Sequence, residues 1–288
     1  MAKILVTGAC GYIGSHIAKS ACEAGHCVHA LDNEYSGNNI PKYITKFYKV
    51  DIREINEVIC IGEHYDAIIH CAALISVAES VEKPNSYYET NVQGTINVVQ
   101  NVKHDHFIFA STGGAFDPIS PYAKSKIIAE EAVKQIADDY TIFRFFNVAG
   151  NNGEFRQICD PSHLMHIAAL TAVGKRDSIT IFGNDYDTSD GTCIRDYVHV
   201  VDLAEAILRS INTPTNTPYE CIGSGAGYSN LEVVNTMRRV TGVDFQVNKG
   251  ARRAGDPAKL VVDNLSKYVS INHTLGDMCR SAYTMEKK

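Results

Sequence analysis

Short runs of β-branched and aromatic residues alternate with longer segments of helical periodicity through the first half of the chain. The runs predict strands at Ile4–Thr7, Cys27–Leu31, Phe47–Val50, Ala67–Cys71, Phe107–Ala110 and Ile142–Phe145. The segments between them predict helices at 12–24, 53–62, 86–103 and 121–138. Such alternation is typical of a parallel sheet with helices on both faces, and the nearly continuous apolar strands agree, because such strands are buried on both sides. We therefore predict an α/β fold with a doubly wound parallel sheet.

The alternation stops after Asn147, where the chain becomes polar and irregular before a second set of elements. The elements predicted there are an apolar helix at 164–173, a helix near 200–211, a strand at 219–222, a helix at 229–241 and a short strand near 244–247. We expect a sheet domain over 1–147, to which 195–223 returns, and a smaller C-terminal lobe mainly over 148–288.

Composition narrows the class of protein. The 288 residues are 45% hydrophobic and 21% charged, which is ordinary for a globular enzyme, and the net charge of −6 argues against a broad basic face for nucleic acid. No apolar run approaches the roughly 20 residues of a membrane span, and the chain begins with a strand-like run rather than a cleavable signal, so we expect a soluble, cytoplasmic protein. The 9 cysteines are scattered, which predicts free thiols, and no histidine pair has an obvious third ligand, so no metal site is expected.

A glycine-rich turn, TGACGYIG at residues 7–14, follows the first predicted strand and opens a helix. Gly8, Gly11 and Gly14 allow a tight turn and a close approach of the backbone to a pyrophosphate, which the helix N-terminus then holds. Asp32 ends the second strand 18 residues past Gly14, where an acid accepts hydrogen bonds from ribose hydroxyls and repels a 2′-phosphate. This arrangement predicts a Rossmann-type domain that binds NAD in preference to NADP.

A second motif, Tyr122-x-x-x-Lys126, follows Pro121 at the predicted start of a helix. The two side chains share one helix face, which places the lysine beside the tyrosine. Together with a positive nicotinamide, the lysine would favour the phenolate and lower the tyrosine pKa from about 10, which makes the tyrosine a usable base. Ser111 and Thr112 end a strand upstream and place hydroxyls at the carboxyl edge of the sheet, where open α/β sheets bind ligands.

With these motifs the chain resembles the extended short-chain dehydrogenase/reductase family, in its UDP-glucose 4-epimerase branch. The resemblance runs from about Lys3 to Asp263. Five stretches carry it: Val6–His16, Ser80–Thr95, Pro121–Lys126, Arg144–Asn147 and Gly174–Asp202. The resemblance implies NAD-dependent epimerisation at C4 of a UDP-hexose, in which a hydride leaves C4, the 4-keto sugar turns over in the pocket, and the hydride returns to the opposite face.

The resemblance also implies a role for individual residues. Tyr122 is implied as the base, Lys126 as the residue that holds the ribose, and Thr112 as the partner of the reacting oxygen. The implied cofactor-binding residues are Gly8, Gly11, Tyr12, Ile13, Gly14, Asp32, Asn33, Asp51, Ile52, Ala72, Leu74, Asn91, Tyr122, Lys126 and Phe146. The implied UDP-sugar-binding residues are Ser111, Thr112, Asn147, His163, Phe182, Arg195, Arg253, Asp256 and Leu260. The two arginines in that set suit the role physically, because guanidinium groups bind phosphate oxygens bidentately.

Four features depart from the family pattern. Ile75 stands where relatives commonly carry lysine, so one cofactor contact is missing and NAD is expected to be held less tightly. His163 replaces an asparagine and can still donate to a phosphate. The loop Gly113–Pro121 is short, and the C-terminal region is abbreviated, which bears on closure of the substrate lobe.

Other activities of the same scaffold compete with epimerisation. Related dehydratases follow the Ser/Thr with an Asp-Glu pair, and the Gly113-Gly114 pair found here cannot do acid–base chemistry. A nucleotide-sugar 4-reductase, which would consume NADH, stays open. A non-catalytic NAD- or UDP-sugar-binding regulator is the alternative of another class, and the intact Thr112, Tyr122 and Lys126 set argues against it.

The resemblance raises two further expectations. The helices at 86–103 and 121–138 expose apolar residues that would pair with a second copy as a four-helix bundle, which gives a homodimer; the alternative is that both helices only cover the sheet. Leu260 aligns with the wall that faces the sugar C2 substituent, and its intermediate size predicts a preference for UDP-glucose and UDP-galactose with partial tolerance of their 2-acetamido forms. The alternative is that Leu260 belongs to the core of the smaller lobe.

Overall fold

The structure is a computed structural model of the chain, and it describes residues 1–35, 37, 40–155, 163–253 and 256–288. The chain divides into two compact units. Unit 1 comprises Met1–Phe145 and Ala204–Glu220, and unit 2 comprises Phe146–Leu203 and Cys221–Lys288. The stretch that returns to the first unit is therefore shorter than the 195–223 expected from the sequence.

A parallel sheet forms the centre of unit 1. Its strands, numbered in chain order, are β1 (Lys3–Thr7), β2 (Cys27–Asp32), β3 (Lys46–Lys49), β4 (His64–His70), β5 (Lys103–Thr112) and β6 (Tyr140–Phe145), and β10 (Glu220–Ile222) extends it beside β6. The order across the sheet is β10-β6-β5-β4-β1-β2-β3, and the pairs from β3 to β6 are all parallel. The predicted doubly wound α/β sheet is confirmed, and its order reverses beside β1, which is where such sheets bind ligands.

The central strands of this sheet are buried on both faces. Ile4 and Leu5 of β1 are both fully buried, and so are Ile68 of β4 and Phe107 and Phe109 of β5. Because neighbouring residues of a strand point to opposite faces, the burial of two consecutive residues requires cover on each side. Burial of each such side chain contributes roughly 1.5–3 kcal/mol, so the apolar runs that predicted the strands also hold the helices against them.

Helices cover the sheet of unit 1. They are α1 (Tyr12–Glu23), α2 (Ile55–Ile59), α3 (Val77–Glu82), α4 (Pro84–Tyr88), α5 (Gly94–Asn101) and α6 (Pro121–Ile136). The helix predicted at 86–103 is present over Pro84–Asn101, and a π-helical turn at Glu89–Gln93 joins α4 to α5. A π-helical turn inserts an extra residue and shifts the phase of the helix. A 3₁₀ turn, Gly113–Phe116, follows β5.

Unit 2 is built from shorter elements. They are β7 (Asn147–Ala149), α7 (Leu164–Ala172), β8 (Ser178–Phe182), β9 (Ile194–His199), α8 (Val200–Ser210, which continues into unit 1), β11 (Gly227–Ser229), α9 (Asn230–Thr241), β12 (Gln246–Gly250), β13 (Lys259–Leu260) and α10 (Leu275–Lys287). Strand β9 pairs with β7, β11 and β13, and β12 pairs with β8. Helices α7, α9 and α10 enclose an apolar core that includes Met165, Val234 and Met278. The chain therefore ends in a packed helix that the sequence patterns did not predict.

The cysteines of the described residues are free thiols, as their scattered spacing predicts, and Cys159 lies outside those residues. Cys10, Cys193, Cys221 and Cys279 are buried, which is common for structural thiols. Within the described ranges no helix has the length and hydrophobicity that a membrane span requires.

Candidate active site

The carboxyl ends of the parallel strands β1, β2, β4 and β5 lie along one edge of the sheet. Gly8 follows β1, Asp32 ends β2, Ala72 comes two residues after β4, and Thr112 ends β5. The structure thus brings to one edge residues that the sequence analysis singled out at distant positions. This edge is therefore the candidate active site.

The glycine turn has the shape that a pyrophosphate requires. Gly8 has a φ of +67°, a left-handed conformation that favours glycine. A Cβ added to Gly14 would lie 2.1 Å from the carbonyl oxygen of Gly8, so no side chain fits between the turn and the helix. Helix α1 begins with Tyr12 and Ile13, and Gly11 at its N-cap offers no side-chain hydrogen bond. A helix N-terminus without a side-chain cap presents its first N–H groups to an anion.

Asp32 is buried, and its carboxylate joins the end of β2 to the glycine turn. One oxygen accepts a hydrogen bond from the backbone N–H of Cys10 at 2.9 Å, and the other accepts one from the N–H of Glu34 at 2.6 Å. Burial raises the pKa of Asp32, and these N–H donors oppose the rise. A carboxylate has about four acceptor sites, so capacity remains for ribose hydroxyls.

Asn33 and Asp51 contact each other beyond the ends of β2 and β3. The Asn33 amide donates to Asp51 Oδ2 at 3.0 Å, and Arg53 binds the same carboxylate through Nε at 3.0 Å and Nη2 at 2.7 Å. The Arg53 hydrogen bonds lower the pKa of Asp51 to about 2. Ile52 is buried and packs so closely on Gly94 that a Cβ there would lie 2.6 Å from its Cδ1. Arg53 was not among the residues expected to support cofactor binding.

Asn91 lies in the π-helical turn and is fully buried. Its carboxamide oxygen accepts from the Leu74 N–H at 2.8 Å, and its NH₂ group donates to the Leu74 carbonyl and to Ser125 Oγ, both at 3.0 Å. Ala72 lies nearby in the chain and donates its N–H to Thr7 Oγ1 at 3.3 Å. Both N–H donors of Asn91 are therefore used within the protein, which ties the segment after β4 to α6.

Thr112 and Tyr122 meet through their hydroxyl groups, which form a hydrogen bond. Thr112 Oγ1 also accepts the backbone N–H of Gly114 at 3.1 Å. Burial raises the pKa of Tyr122, and the Thr112 hydrogen bond opposes the rise. The direction is opposite to the one expected from Lys126, because removal from water disfavours the phenolate more than the neutral hydroxyl.

Lys126 lies one helical turn after Tyr122, as the motif predicts, and is only 3% exposed. Its Nζ lies 4.1 Å from the ring centroid of Phe109, a cation–π contact. Burial lowers the pKa of Lys126 to about 8, and the nearby Cys71 and Glu130 oppose the fall. The ammonium group can therefore lose its proton close to neutral pH.

Sequence reasoning missed a buried ion pair beside these residues. Glu130 of α6 accepts from Arg144 Nε at 3.0 Å and from Arg144 Nη2 at 2.7 Å. The Ser111 hydroxyl donates to the same carboxylate. One signal in the sequence could have found Glu130: it lies four residues after Lys126 and so shares the helix face of Lys126 and Tyr122.

In unit 2 the predicted residues Arg195 and Asp256 contact each other. Arg195 Nη2 lies 3.1 Å from Asp256 Oδ1, and Arg195 Nη1 donates to the carbonyl groups of Ile194 at 2.8 Å and Pro257 at 2.9 Å. Arg195 is buried, which differs from an ordinary surface arginine. A guanidinium has five N–H donors in a fixed plane, so this arrangement orients its remaining donors.

Phe182 and Arg253 form a second predicted pair, with the guanidinium carbon 4.1 Å from the ring centroid. Asn147 of β7 pairs with Tyr197 of β9, and their side chains share a hydrogen bond. His163 is the exposed N-cap residue of α7 and makes no side-chain cap. Together with Arg195 and Asp256, the residues Asn147, His163 and Arg253 are therefore the polar groups of unit 2 expected to bind the sugar nucleotide.

Leu260 is partly buried against a small cluster of Phe146, Cys221 and Val262. Its backbone pairs with Arg195 in the parallel register of β13 and β9. Leu260 and Phe146 therefore contribute to the packing of unit 2, and Leu260 is also joined by the backbone to the strand that carries the buried arginine.

Comparison with known proteins extends this picture. Residues 4–221 match the model of the NAD dependent epimerase/dehydratase family. The UDP-glucose 4-epimerase of Lactobacillus helveticus is 37% identical over 296 residues, which cover 91% of this chain and 88% of that protein. Two solved structures are also similar. The UDP-Glc/GlcNAc 4-epimerase of Campylobacter jejuni has a TM-score of 0.84 and 35% identity, and the match covers 100% of this chain and 99% of that chain. The UDP-glucose 4-epimerase of Bifidobacterium longum, in complex with NAD+ and UDP, has a TM-score of 0.90 and 28% identity, and the match covers 99% of this chain and 98% of that chain.

Proposed function

Because the chain belongs to the NAD dependent epimerase/dehydratase family, we propose that it interconverts UDP-glucose and UDP-galactose by NAD-dependent epimerisation at C4. The observation that carries the proposal is that Tyr122 shares one face of α6 with the buried Lys126, while Thr112 at the end of β5 hydrogen-bonds the Tyr122 hydroxyl. UDP-glucose 4-epimerases that cover 91% of the chain support the choice of reaction.

The residues present fit NAD as the cofactor. The turn has no room for a Cβ at Gly14, and α1 starts without a side-chain cap, so both suit a pyrophosphate. The Asp32 carboxylate suits ribose hydroxyls and repels a 2′-phosphate. When bound, NAD supplies the group that takes a hydride from the sugar C4 and gives it back.

We assign to Tyr122 the role of the base that accepts the proton of the sugar O4 hydroxyl. The deprotonated Tyr122 oxygen accepts this proton as the C4–H bond breaks and returns it when C4 is reduced on the opposite face. The net change is inversion at C4 without net oxidation. Thr112 holds the Tyr122 oxygen through its hydroxyl, and protonated Lys126 would stabilise the phenolate once water is excluded.

Two arginines of unit 2 are suited to the diphosphate of the sugar nucleotide. Arg195 is oriented by Asp256, and the guanidinium group of Arg253 lies against the ring of Phe182. Planar guanidinium groups fixed in this way bind phosphate oxygens through paired N–H donors. We propose that both act on the UDP moiety.

A dehydratase or a reductase would need different features. Gly113 and Gly114 open the 3₁₀ turn directly after Thr112, so this stretch carries no acid for elimination of water. A 4-reductase would consume one NADH for each product formed, whereas an epimerase regenerates its cofactor within the turnover. Cofactor consumption therefore separates these two activities.

The test is to incubate the purified protein with UDP-galactose and no added cofactor and to measure UDP-glucose. We expect UDP-glucose to form without change in the NADH absorbance. A requirement for stoichiometric NADH would indicate a reductase, and binding of UDP-galactose without any product, even after NAD is added, would indicate a regulator.

Leu260→Tyr is expected to lower kcat/KM for the 2-acetamido substrates selectively, because a larger side chain leaves less space at C2. The fit of one group in a pocket contributes about 1–3 kcal/mol, or about 10- to 200-fold. The measurement is kcat/KM for both sugar pairs, with Lys259→Tyr, at the exposed neighbour on β13, as the control. Equal losses on both sugar pairs would mean that Leu260 only packs against Phe146.

We also propose a homodimer formed through α6. The helix at 86–103 does not expose large apolar side chains, contrary to the expectation, because those it carries are buried or partly buried. Ile128 of α6 is 46% exposed, and Val77 and Val81 of the adjacent α3 are exposed as well. Paired helices with such apolar residues form bundles when a second copy covers them. We expect a dimeric mass in sedimentation at micromolar concentration and a monomeric mass for Ile128→Glu, with the exposed Glu131→Gln unchanged. A monomeric wild-type protein would contradict the proposal.

A further inference from the structure

The pair of Glu130 and Arg144 is buried within unit 1, with side chains 1% and 10% exposed. Removal of two charges from water is costly, and a buried pair is often no more stabilising than apolar residues of the same size. The pair therefore calls for a role other than stability alone. Its contacts indicate what that role is.

The Glu130 carboxylate joins two elements that carry the reacting hydroxyls. Glu130 lies on α6, the helix of Tyr122, and its Oε1 accepts the hydroxyl of Ser111, which is the residue before Thr112 on β5. The Thr112–Tyr122 hydrogen bond joins the same two elements. A shift of the end of β5 relative to α6 would break both bonds together.

Arg144 is fixed on the other side of the carboxylate. It lies on β6, where its backbone is the register partner of Ser111 on β5. Its guanidinium carbon is 3.9 Å from the ring centroid of Tyr219 and 4.9 Å from that of Phe116. Phe116 belongs to the turn that follows Thr112, so Arg144 also anchors the chain just beyond the catalytic hydroxyl.

We propose that Glu130 and Arg144 are positioning residues, which hold Ser111 to α6 and so fix the Thr112 hydroxyl against the Tyr122 hydroxyl for proton transfer at the sugar O4. The inference rests on the function proposed above and extends it to residues that touch neither sugar nor cofactor. We call the arrangement of Ser111, Glu130 and Arg144 the clamp. Because a displacement of about 1 Å can lower a rate by roughly 10²-fold, loss of the clamp is expected to lower turnover measurably.

The charge of Glu130 acts in the same region. Glu130 raises the pKa of Lys126 against the effect of burial. Loss of this negative charge, with Arg144 left positive, would favour the neutral form of Lys126. On the alkaline side of the pH profile, the activity of the Glu130→Gln variant should therefore fall at a lower pH than the activity of the wild type.

Two variants separate the clamp from the charge. Ser111→Ala removes only the hydroxyl and leaves Arg144 bound to Glu130, so the protein is expected to fold. We expect kcat to fall about 10- to 100-fold with little change in KM or NAD content. Glu130→Gln should show at least that loss together with the shifted pH profile. Glu131→Gln, an exposed carboxylate on the same helix, is the control and should match the wild type.

A second measurement does not depend on epimerisation. The phenolate of Tyr122 is followed by ultraviolet difference absorbance against Tyr122→Phe as pH rises. A weaker Thr112 hydrogen bond should raise the pKa of Tyr122 in Ser111→Ala, and this is expected even if the wild type proves not to be an epimerase. The positioning role of the clamp would be overturned if the Tyr122 titration were unchanged in Ser111→Ala. It would also be overturned if the folded Ser111→Ala variant had a kcat within about twofold of wild type. If the pair were merely structural, its disruption would lower thermal stability but leave the Tyr122 titration and kcat unchanged.

Discussion

The Tyr122→Phe variant is expected to lose turnover by roughly 10²- to 10⁴-fold, the usual contribution of a general base. The substitution removes the one hydroxyl that Thr112 orients at the carboxyl edge of the sheet and keeps the ring that packs near Tyr87. NAD content and UDP-sugar affinity should change little, because the hydroxyl is required for proton transfer rather than for binding. The measurement is kcat for UDP-galactose, with bound NAD and UDP affinity determined on the same samples.

Tyr140→Phe is a matched control for this variant. Tyr140 begins β6 at the opposite edge of the sheet, and its hydroxyl donates to the Asn216 carbonyl at 3.3 Å. Loss of that hydroxyl should leave turnover close to wild type. If Tyr122→Phe retains more than about a tenth of the wild-type rate, which is below any general-base contribution, another group accepts the proton.

Removal of NAD is expected to abolish activity, and added NAD is expected to restore it, whereas NADP should fail. The reason is the Asp32 carboxylate, which is placed to bind ribose hydroxyls and would repel a 2′-phosphate. Denaturation of the untreated protein should release NAD into the supernatant. Recovery of NADP instead, or full activity in protein that contains neither, would contradict the assignment.

Ile75 provides a test of how tightly NAD is held. It is 48% exposed and stands where the family commonly carries lysine, so one favourable contact with the cofactor is missing. Protein purified by several steps is therefore expected to contain less than one NAD per chain. Ile75→Lys should raise the retained NAD, and Ile59→Lys, at an exposed apolar position outside the proposed dimer surface, serves as the control for added charge.

The strands and major helices of unit 1 were predictable because their apolar periodicity coincides with burial. Helix α3 was missed because it is only six residues long, and its signal is a single cap in which Ser76 accepts from the Glu79 N–H at 3.2 Å. Helix α10 was missed for a related reason: its sequence is polar, and the capping box of Thr274 and Asp277 is the feature that marks its start.

The candidate site was predictable where a motif has fixed spacing and less so where contacts join distant segments. The glycine turn and the Tyr122-x-x-x-Lys126 motif are local, so the sequence contains their geometry. The pair of Glu130 and Arg144 depends on the register of β5 and β6, which brings Ser111 opposite Arg144. No local pattern encodes that register, because it follows from packing of the whole sheet.

Strand β3 is one edge of the sheet in unit 1, and edge strands can recruit further strands and so start aggregation. It has four residues, begins with Lys46 and ends with Lys49. Residues three apart point to opposite faces, so each face of the edge carries one lysine. Lys46 is held by Glu63 at 2.7 Å, and Lys49 pairs with Glu34. A foreign strand that added here would meet a lysine on either face, and charged side chains of this kind on an edge strand disfavour such pairing.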